Sequence, residues 1–150
     1  MKELLKQLKY EEGLRLEAYL CPAEKLTIGY GHNLDAMPMF EGRKIPHVID
    51  ELFAELLLEW DVDRTVEKLK REWHGFDLLT GARRDAIINM AFQLGVGGLL
   101  KFKKMLDALN KCEWQRAANE ALNSTWAEQT PGRAKRVAGQ IRTGEYYRVP

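Results

Sequence analysis

The sequence predicts an α+β fold with one β-hairpin near the N-terminus and helices elsewhere. Apolar residues alternate over 14–20 and form a second strand-like run over 26–31, with turn-forming residues between them, which is typical of a hairpin. Apolar residues recur at helical spacing in most of the remaining chain. The predicted helices are 1–12, about 48–71, 81–94, 102–110, 113–122 and a last one from Thr130-Pro131 to Gly144.

The length and composition are those of a soluble globular protein. The 150 residues allow one domain or two lobes sharing a core, and 45% hydrophobic with 30% charged residues excludes collagen-like, low-complexity and coiled-coil chains. The two cysteines, Cys21 and Cys112, form no CxxC or Cys/His spacing, so neither a disulfide framework nor a zinc site is indicated. We therefore expect no metal and no cofactor.

Charge is distributed unevenly along the chain. Residues 1–75 carry 11 basic and 15 acidic side chains, a net of −4, whereas residues 76–150 carry 12 and 7, a net of +5. The basic half can bind phosphates, anionic glycans or membrane surfaces. Alternatively, its charges lie on a solvated surface that has no special partner. The charged opening residues lack the apolar core of a signal peptide, and no 18 apolar residues run together. These patterns predict cytosolic synthesis, no signal peptide and no stable membrane insertion.

The first predicted helix ends on a candidate general acid. Glu12 continues the apolar stripe of this helix, and Gly13 suits a helix C-cap. A carboxyl group there meets the negative end of the helix dipole and loses solvent, and both effects favour its protonated form. Alternatively, the side chain of Glu11 or Glu12 merely lies in solvent at the end of the helix and has no catalytic role. The stripe consists of Met1, Leu4, Leu5 and Leu8.

The two central helices have different patterns. The 48–71 helix would span about 36 Å, enough to bridge two lobes, and it follows a loop-rich segment over 33–46. The 81–94 helix is apolar on nearly every face, with Thr80 as its cap and glycines 95, 97 and 98 as its end. Asn89 and Gln93 share one side of it, either as core amides or as donors lining a cleft. The apolar stripe of the 48–71 helix is Ile49, Leu52, Phe53, Leu56, Trp60, Val66 and Leu69.

Several motifs, in order along the chain, resemble the T-even phage lysozymes, the endolysins of glycoside hydrolase family twenty-four. They are Glu11-Glu12-Gly13-Leu14-Arg15-Leu16, Tyr19, Thr27-Ile28-Gly29-Tyr30-Gly31-His32, Asp61-Val62-Asp63, Arg83-Arg84 through Gln93-Leu94-Gly95, Trp126, and Gln129-Thr130-Pro131-Gly132-Arg133-Ala134-Lys135-Arg136-Val137. The resemblance implies a lysozyme-like α+β fold with an active cleft between two lobes. The small lobe would cover about 13–58, and the helical lobe about 1–12 plus 59–150, with the long helix joining them.

The resemblance also implies a catalytic triad. The family spacing is Glu, eight residues, Asp or Cys, five residues, Thr, which Glu12, Cys21 and Thr27 fit without a gap. Glu12 would protonate the leaving oxygen, while Cys21, which stands where the best-known relatives carry aspartate, and Thr27 would position the attacking water. The thiol could orient water, act as a base when ionised, or attack the sugar directly. The family favours water attack with inversion.

Further roles follow from the same resemblance. His32 matches a histidine that braces the site, and Arg133 matches an arginine that pairs with the catalytic acid. Substrate contacts are implied for Asn89, Phe92, Gln93 and Trp126. For Phe92 and Trp126, a purely core role is an equal alternative.

The implied activity is that of a muramidase, which cuts peptidoglycan between N-acetylmuramic acid and N-acetylglucosamine. We expect a monomer that binds no nucleic acid, stays in the host cytoplasm until its release onto the cell wall, and depends on a holin for that release. Two alternatives stay open. One is a cysteine-dependent cell-wall peptidase or amidase using Cys21 and His32, and the other is a nonenzymatic binder of glycan or nucleic acid that uses the basic last helix.

Overall fold

The computed structural model describes all residues, Met1–Pro150, and confirms the α+β class. It contains eight α-helices, a 3₁₀ helix at His74–Leu78 and five short strands. None of the helices is long and apolar enough to cross a membrane. The helices are α1 (Lys2–Glu12), α2 (Glu51–Glu72), α3 (Gly81–Leu94), α4 (Val96–Leu99), α5 (Lys103–Asn110), α6 (Trp114–Leu122), α7 (Thr125–Gln129) and α8 (Pro131–Thr143); the strands are β1 (Arg15–Leu20), β2 (Leu26–Gly29), β3 (His32–Asn33), β4 (Met39–Phe40) and β5 (Arg43–Lys44).

Contacts between residues divide the chain into two compact units. The hairpin unit comprises Lys2 and Leu4–Asp63, and the helical unit comprises Met1, Glu3 and Arg64–Pro150. Nearly all of α1 therefore groups with the hairpin, whereas the sequence assigned residues 1–12 to the helical lobe. An ion pair between Lys9 on α1 and Glu55 on α2 is one contact inside the hairpin unit. The lobe boundaries inferred from the sequence stay a prediction.

The predicted hairpin is confirmed in the hairpin unit. β1 and β2 pair antiparallel, with Tyr19 opposite Thr27 and Leu20 opposite Leu26. β3 adds to the other edge of β2, with Ile28 opposite His32. The loop expected over 33–46 contains a second, two-stranded sheet of β4 and β5. Its strands have two residues each, too few to produce a recognisable alternation.

The first helix ends where the sequence predicts. Gly13 has φ +69°, and its N–H donates to the Lys9 carbonyl at 3.0 Å, which closes the last turn of α1. Leu4 and Leu8 are fully buried, so the central part of the predicted stripe is correct. Met1 is 54% exposed, and its place in that stripe is wrong.

The buried face of α2 differs from the predicted stripe. Leu52 and Leu56 are 66% and 43% exposed, so assigning them to the buried face was wrong. A Cβ built on Gly29 would lie 3.4 Å from the Ala54 Cβ, so α2 approaches β2 closely at two small residues. Hydrophobicity alone favours leucine for a core face and does not reveal where a close approach requires a small side chain. The buried residues of α2 are Ala54, Leu57, Leu58, Val62 and Leu69.

Most of α3 is buried in the helical unit, as predicted from its apolar surface. All residues from Asp85 to Ala91 are buried, and α8 packs on both α3 and α6. Pro131 is the first residue of α8, and Gly144 ends it in the left-handed conformation, both as predicted.

The ends of the other helices in this unit correct several sequence expectations. Thr80 occupies the N-cap of α3, but its side chain makes no capping hydrogen bond. Gly95 ends α3 at φ +76°, whereas Gly97 and Gly98 lie inside the short helix α4. Helix α7 was not predicted. It begins after Ser124, whose side chain accepts a hydrogen bond from the Ala127 N–H.

Candidate active site

The carboxyl group of Glu12 lies against the turn between β2 and β3. Glu12 is the last residue of α1 and is half-buried. Gly31, in that turn, has φ +76°, and a Cβ built on it would lie only 2.7 Å from Glu12 Oε2. The absence of a side chain at position 31 therefore leaves the space that the Glu12 carboxyl group occupies.

Gly31→Ala is expected to displace the Glu12 carboxyl group and to lower lytic activity strongly. The contact is with the end of a flexible side chain, so the carboxyl group moves and the fold survives. The control is Gly42→Ala, because Gly42 has φ +77° and a Cβ there would meet nothing within 4 Å. Both variants should lose about 1 kcal/mol of stability from backbone strain. Equal activity of the two variants, measured as lysis of purified cell walls, would show that the space at Gly31 is unimportant.

Cys21 and Thr27 lie together at the closed end of the hairpin. Hydrogen bonds to the sulfur, foremost from the Lys25 backbone N–H and also from the Ala23 N–H and the Thr27 hydroxyl, lower the pKa of the Cys21 thiol, while burial opposes this shift. The thiolate fraction near neutral pH is therefore larger than for an ordinary cysteine. The structure thus brings these two predicted site residues into contact.

The Thr27 hydroxyl has two acceptors within reach. Its oxygen lies 2.8 Å from the Lys25 carbonyl oxygen, to which it donates, and it also reaches the Cys21 sulfur. A hydroxyl has one proton, so it serves one of these acceptors at a time and is otherwise able to accept a hydrogen bond. Thr27 is 5% exposed and paired within the sheet, which fixes its position.

His32 is held on both ring nitrogens inside the hairpin unit. Nδ1 lies 2.7 Å from Asp61 Oδ2, and Nε2 lies 2.8 Å from the Met37 carbonyl oxygen. A backbone carbonyl only accepts hydrogen bonds, so Nε2 donates to Met37, while Nδ1 forms a hydrogen bond with the Asp61 carboxyl group. The ring also stacks on Trp60, with centroids 6.0 Å apart. With both nitrogens engaged, the ring is fixed in position and is poorly suited to act as a general base.

Asp61 is the partner of His32 in the structure, and no role for it was predicted from the sequence. It belongs to the Asp61-Val62-Asp63 motif, but it lies 29 residues from His32 and on another element. The spacing of residues along the chain does not show which acid meets a distant histidine. The structure shows the pairing, with the His32 side chain 2% and the Asp61 side chain 14% exposed.

In the helical unit, Arg133 and Asn89 form a buried pair. Arg133 Nε donates to Asn89 Oδ1 at 3.0 Å, and its Nη2 donates to the Asn89 backbone carbonyl at 3.3 Å. Arg133 is 7% exposed and Asn89 is 0% exposed. Asn89 is therefore placed to orient Arg133, and it has no surface with which to touch a sugar.

Of the remaining predicted substrate residues, Gln93 on α3 forms hydrogen bonds with Trp126 and with Thr130. Trp126 Nε1 donates to Gln93 Oε1 at 2.8 Å, and Gln93 Nε2 donates to the Thr130 hydroxyl at 3.4 Å. Trp126 is 4% exposed and packs its ring edge-on against Phe102. Gln93 and Phe92 are half-buried. Phe92 and Gln93 thus keep some exposed surface, whereas Trp126 is enclosed and donates a hydrogen bond to Gln93.

Two surface cavities lie near these elements. One, of about 420 Å³, runs along residues 14–19 immediately after Glu12. The other, of about 380 Å³, belongs to the helical unit and is lined by Lys101, Phe102, Lys103 and Lys104 together with residues of α5 and α6 and of the turn after α6. No group of three or more histidine, cysteine, aspartate or glutamate side chains is arranged to hold a metal ion.

Comparisons with known proteins agree on one family. The family model described as phage lysozyme matches residues 9–144. A probable T4-type lysozyme 1 of Dictyostelium discoideum is 35% identical, over 91% of this chain and 92% of its own length. A second probable T4-type lysozyme of that organism is 32% identical, over 96% of each chain. An endolysin of Bacillus phage B103 is 39% identical, over 77% of this chain and 41% of its own length.

Proposed function

Because this chain belongs to the phage lysozyme family and is a lysozyme-type glycoside hydrolase, we propose that it cuts peptidoglycan at the β-1,4 bond between N-acetylmuramic acid and N-acetylglucosamine. One observation carries the proposal. The half-buried Glu12 carboxyl group ends α1 over the β2–β3 turn, while Cys21 and Thr27 are joined at the closed end of the same sheet. This arrangement within one unit supports the proposal that Glu12 donates a proton while Cys21 and Thr27 direct a water molecule.

Glu12 is the general acid of the proposed reaction. Its proton passes to the glycosidic oxygen as the bond between that oxygen and the anomeric carbon breaks, which leaves Glu12 ionised. The carboxyl group is half-buried at a helix C-terminus, where the dipole disfavours negative charge. The resemblance assigns Arg133 as the cationic partner of this acid, and that role stays a prediction.

Cys21 and Thr27 direct the attacking water. The water oxygen forms a bond to the anomeric carbon on the face opposite the leaving group, and its proton passes to the Cys21 thiolate. The lowered pKa of the Cys21 thiol supports this role, since it raises the thiolate population. Thr27 accepts or donates one hydrogen bond to the water from its fixed position on β2. Exchange with solvent then restores the protonated acid and the thiolate.

Substitutions of Cys21 should show whether activity depends on a side chain that can accept a proton from the attacking water. Cys21→Asp is expected to keep substantial activity, because aspartate is the commoner residue at this position of the family and can also accept the water proton. Cys21→Ala should lose most activity, since alanine can neither accept that proton nor hold the water. The control is Cys112→Ala, which changes an exposed cysteine. Full activity of Cys21→Ala in turbidity assays would remove the thiol from the mechanism.

The reaction products distinguish the proposed function from a cysteine peptidase or amidase. On purified peptidoglycan, a muramidase releases reducing sugar ends, whereas a peptidase or amidase releases new amines. We expect reducing ends and no increase in amines. The opposite result would overturn the proposed bond. The engagement of both His32 nitrogens by Asp61 and Met37 also argues against His32 activating the thiol.

The anomer formed first decides between water and sulfur as the attacking group. Direct attack by water inverts the β bond and gives the α-anomer, which we expect in proton NMR spectra recorded during the first turnovers. Attack by sulfur, followed by hydrolysis of the thioglycoside, would give the β-anomer. That result would replace the proposed mechanism while leaving the substrate bond as stated.

The charge of the helical unit suits the proposed substrate. The 380 Å³ cavity is lined by three lysines and one acidic residue, Glu120, so its lining carries a net positive charge beside Phe102. Peptidoglycan carries lactyl-peptide carboxylates, which such a surface attracts. We further propose, from the family resemblance, a monomer that stays in the host cytoplasm until a holin gives it access to the wall, without stable membrane insertion or nucleic-acid binding.

A further inference from the structure

A chain of hydrogen bonds in the helical unit joins the C-terminal segment to Arg133. Asn89 Nδ2 donates to the Tyr147 hydroxyl oxygen at 3.3 Å, while Asn89 Oδ1 accepts from Arg133 Nε at 3.0 Å. Asn89 is fully buried on α3, and Arg133 is buried on α8. One amide thus bridges a tyrosine near the end of the chain and a buried cation.

The donors and acceptors permit only one orientation of this amide. A guanidinium has N–H donors and no acceptor, so Asn89 must present its oxygen to Arg133. Its NH₂ group then faces the other way and needs an acceptor. Asn89 is 0% exposed, so bulk water does not supply one, and the Tyr147 hydroxyl oxygen does. Without this acceptor, the buried NH₂ group would lose a partner, and the orientation that serves Arg133 would become more costly.

Tyr147 is itself fastened by α8. Its backbone N–H donates to Gln140 Oε1 at 3.5 Å, and Gln140 Nε2 donates to the Ala82 carbonyl at 2.7 Å. The Arg136 guanidinium lies over the Tyr147 ring, 5.9 Å from its centroid. Removal of the hydroxyl group alone leaves these anchors in place, so the segment would stay docked.

We propose that Tyr147 is a positioning residue for the reaction, acting through Asn89 to fix the guanidinium of Arg133. The inference rests on the proposed function, which gives Arg133 the role of partner to the catalytic acid. The effect of Tyr147 on the reaction would pass through Asn89, whose amide it accepts from. Its effect would fall on kcat more than on KM, because a misaligned cation changes the chemical step while the sugar contacts remain.

The test compares Tyr147→Phe with Tyr146→Phe. The neighbouring Tyr146 hydroxyl donates to Asp85 Oδ2 at 2.7 Å, and burial, followed by this hydrogen bond, raises the pKa of Tyr146 to about 12. Tyr146→Phe therefore removes a hydroxyl group from the same segment without touching Asn89. Urea unfolding of both variants measures the cost to stability.

We expect Tyr147→Phe to lower kcat on soluble glycan oligomers about two- to tenfold with KM nearly unchanged. The Arg133 Nε–H resonance should shift in ¹⁵N-resolved NMR spectra of this variant. Tyr146→Phe should keep both the wild-type kcat and the wild-type resonance. A wild-type kcat or an unshifted Arg133 resonance in Tyr147→Phe would each overturn the proposal, as would an equal effect of Tyr146→Phe on both readouts.

A second variant tests the amide orientation directly. In Asn89→Asp, both side-chain oxygens accept hydrogen bonds, so Arg133 no longer depends on which way the group is turned. Adding Tyr147→Phe to Asn89→Asp should then cause no further loss of kcat, whereas a full additional loss would refute the orientation argument. The NMR readout does not depend on the identity of the catalytic acid, so it separates failure of this inference from failure of the proposed function.

Discussion

Glu12→Gln is expected to lower lytic activity by about 10²–10⁴-fold, the range that general acid catalysis contributes. The amide has nearly the shape of the carboxyl group but no proton that it can give to a glycosidic oxygen. The fold should survive, because the amide keeps nearly the size and shape of the carboxyl group at the C-terminal end of α1. The measurements are lysis of purified cell walls and urea unfolding of the same preparation.

Glu11→Gln is the matched control for this experiment. Glu11 precedes Glu12 on α1 and is also half-buried, so Glu11→Gln makes the same chemical change one residue away without touching the proposed acid. It should keep most of the wild-type activity. If Glu12→Gln retained full activity, neither the acid role nor the lysozyme mechanism would stand. A nonenzymatic binder would behave in that way.

The sequence predicted best those parts of the site that are local. Glu12, Cys21 and Thr27 lie within 16 residues, on a helix end and a hairpin whose patterns are read directly from neighbouring residues. The C-cap at Gly13 and the pairing of β1 with β2 followed from the same short-range rules, and the structure confirms both. The catalytic roles of the three residues remain proposals.

Long-range partners were not predictable in this way. The His32–Asp61 pair and the bond from Asn89 to Tyr147 join residues 29 and 58 positions apart, and no periodicity indicates which distant polar groups meet. The misassigned face of α2 has a related cause. The close approach of Ala54 to Gly29 selects the buried face by shape, which a hydrophobic pattern does not record.

Asp61→Asn is expected to lower the free energy of unfolding by about 3 kcal/mol, near the lower end of the cost of removing one partner from a buried ion pair. His32 is almost completely buried, and its two ring nitrogens meet Asp61 and the Met37 carbonyl. In Asp61→Asn, the Nδ1 atom of His32 no longer meets a carboxyl group. The amide can replace one hydrogen bond to this nitrogen but not the charge of a carboxylate.

Asp63→Asn is the control, because Asp63 is exposed on the same helix and its replacement should change stability by no more than about 0.5 kcal/mol. Urea unfolding measures both variants. The effect of Asp61→Asn should extend to activity, since His32 directly follows Gly31, the residue against which the Glu12 carboxyl group lies. If the His32–Asp61 pair only holds this turn in place, Asp61→Asn should lower stability and activity together. Loss of activity at wild-type stability would instead place His32 and Asp61 in the chemical step.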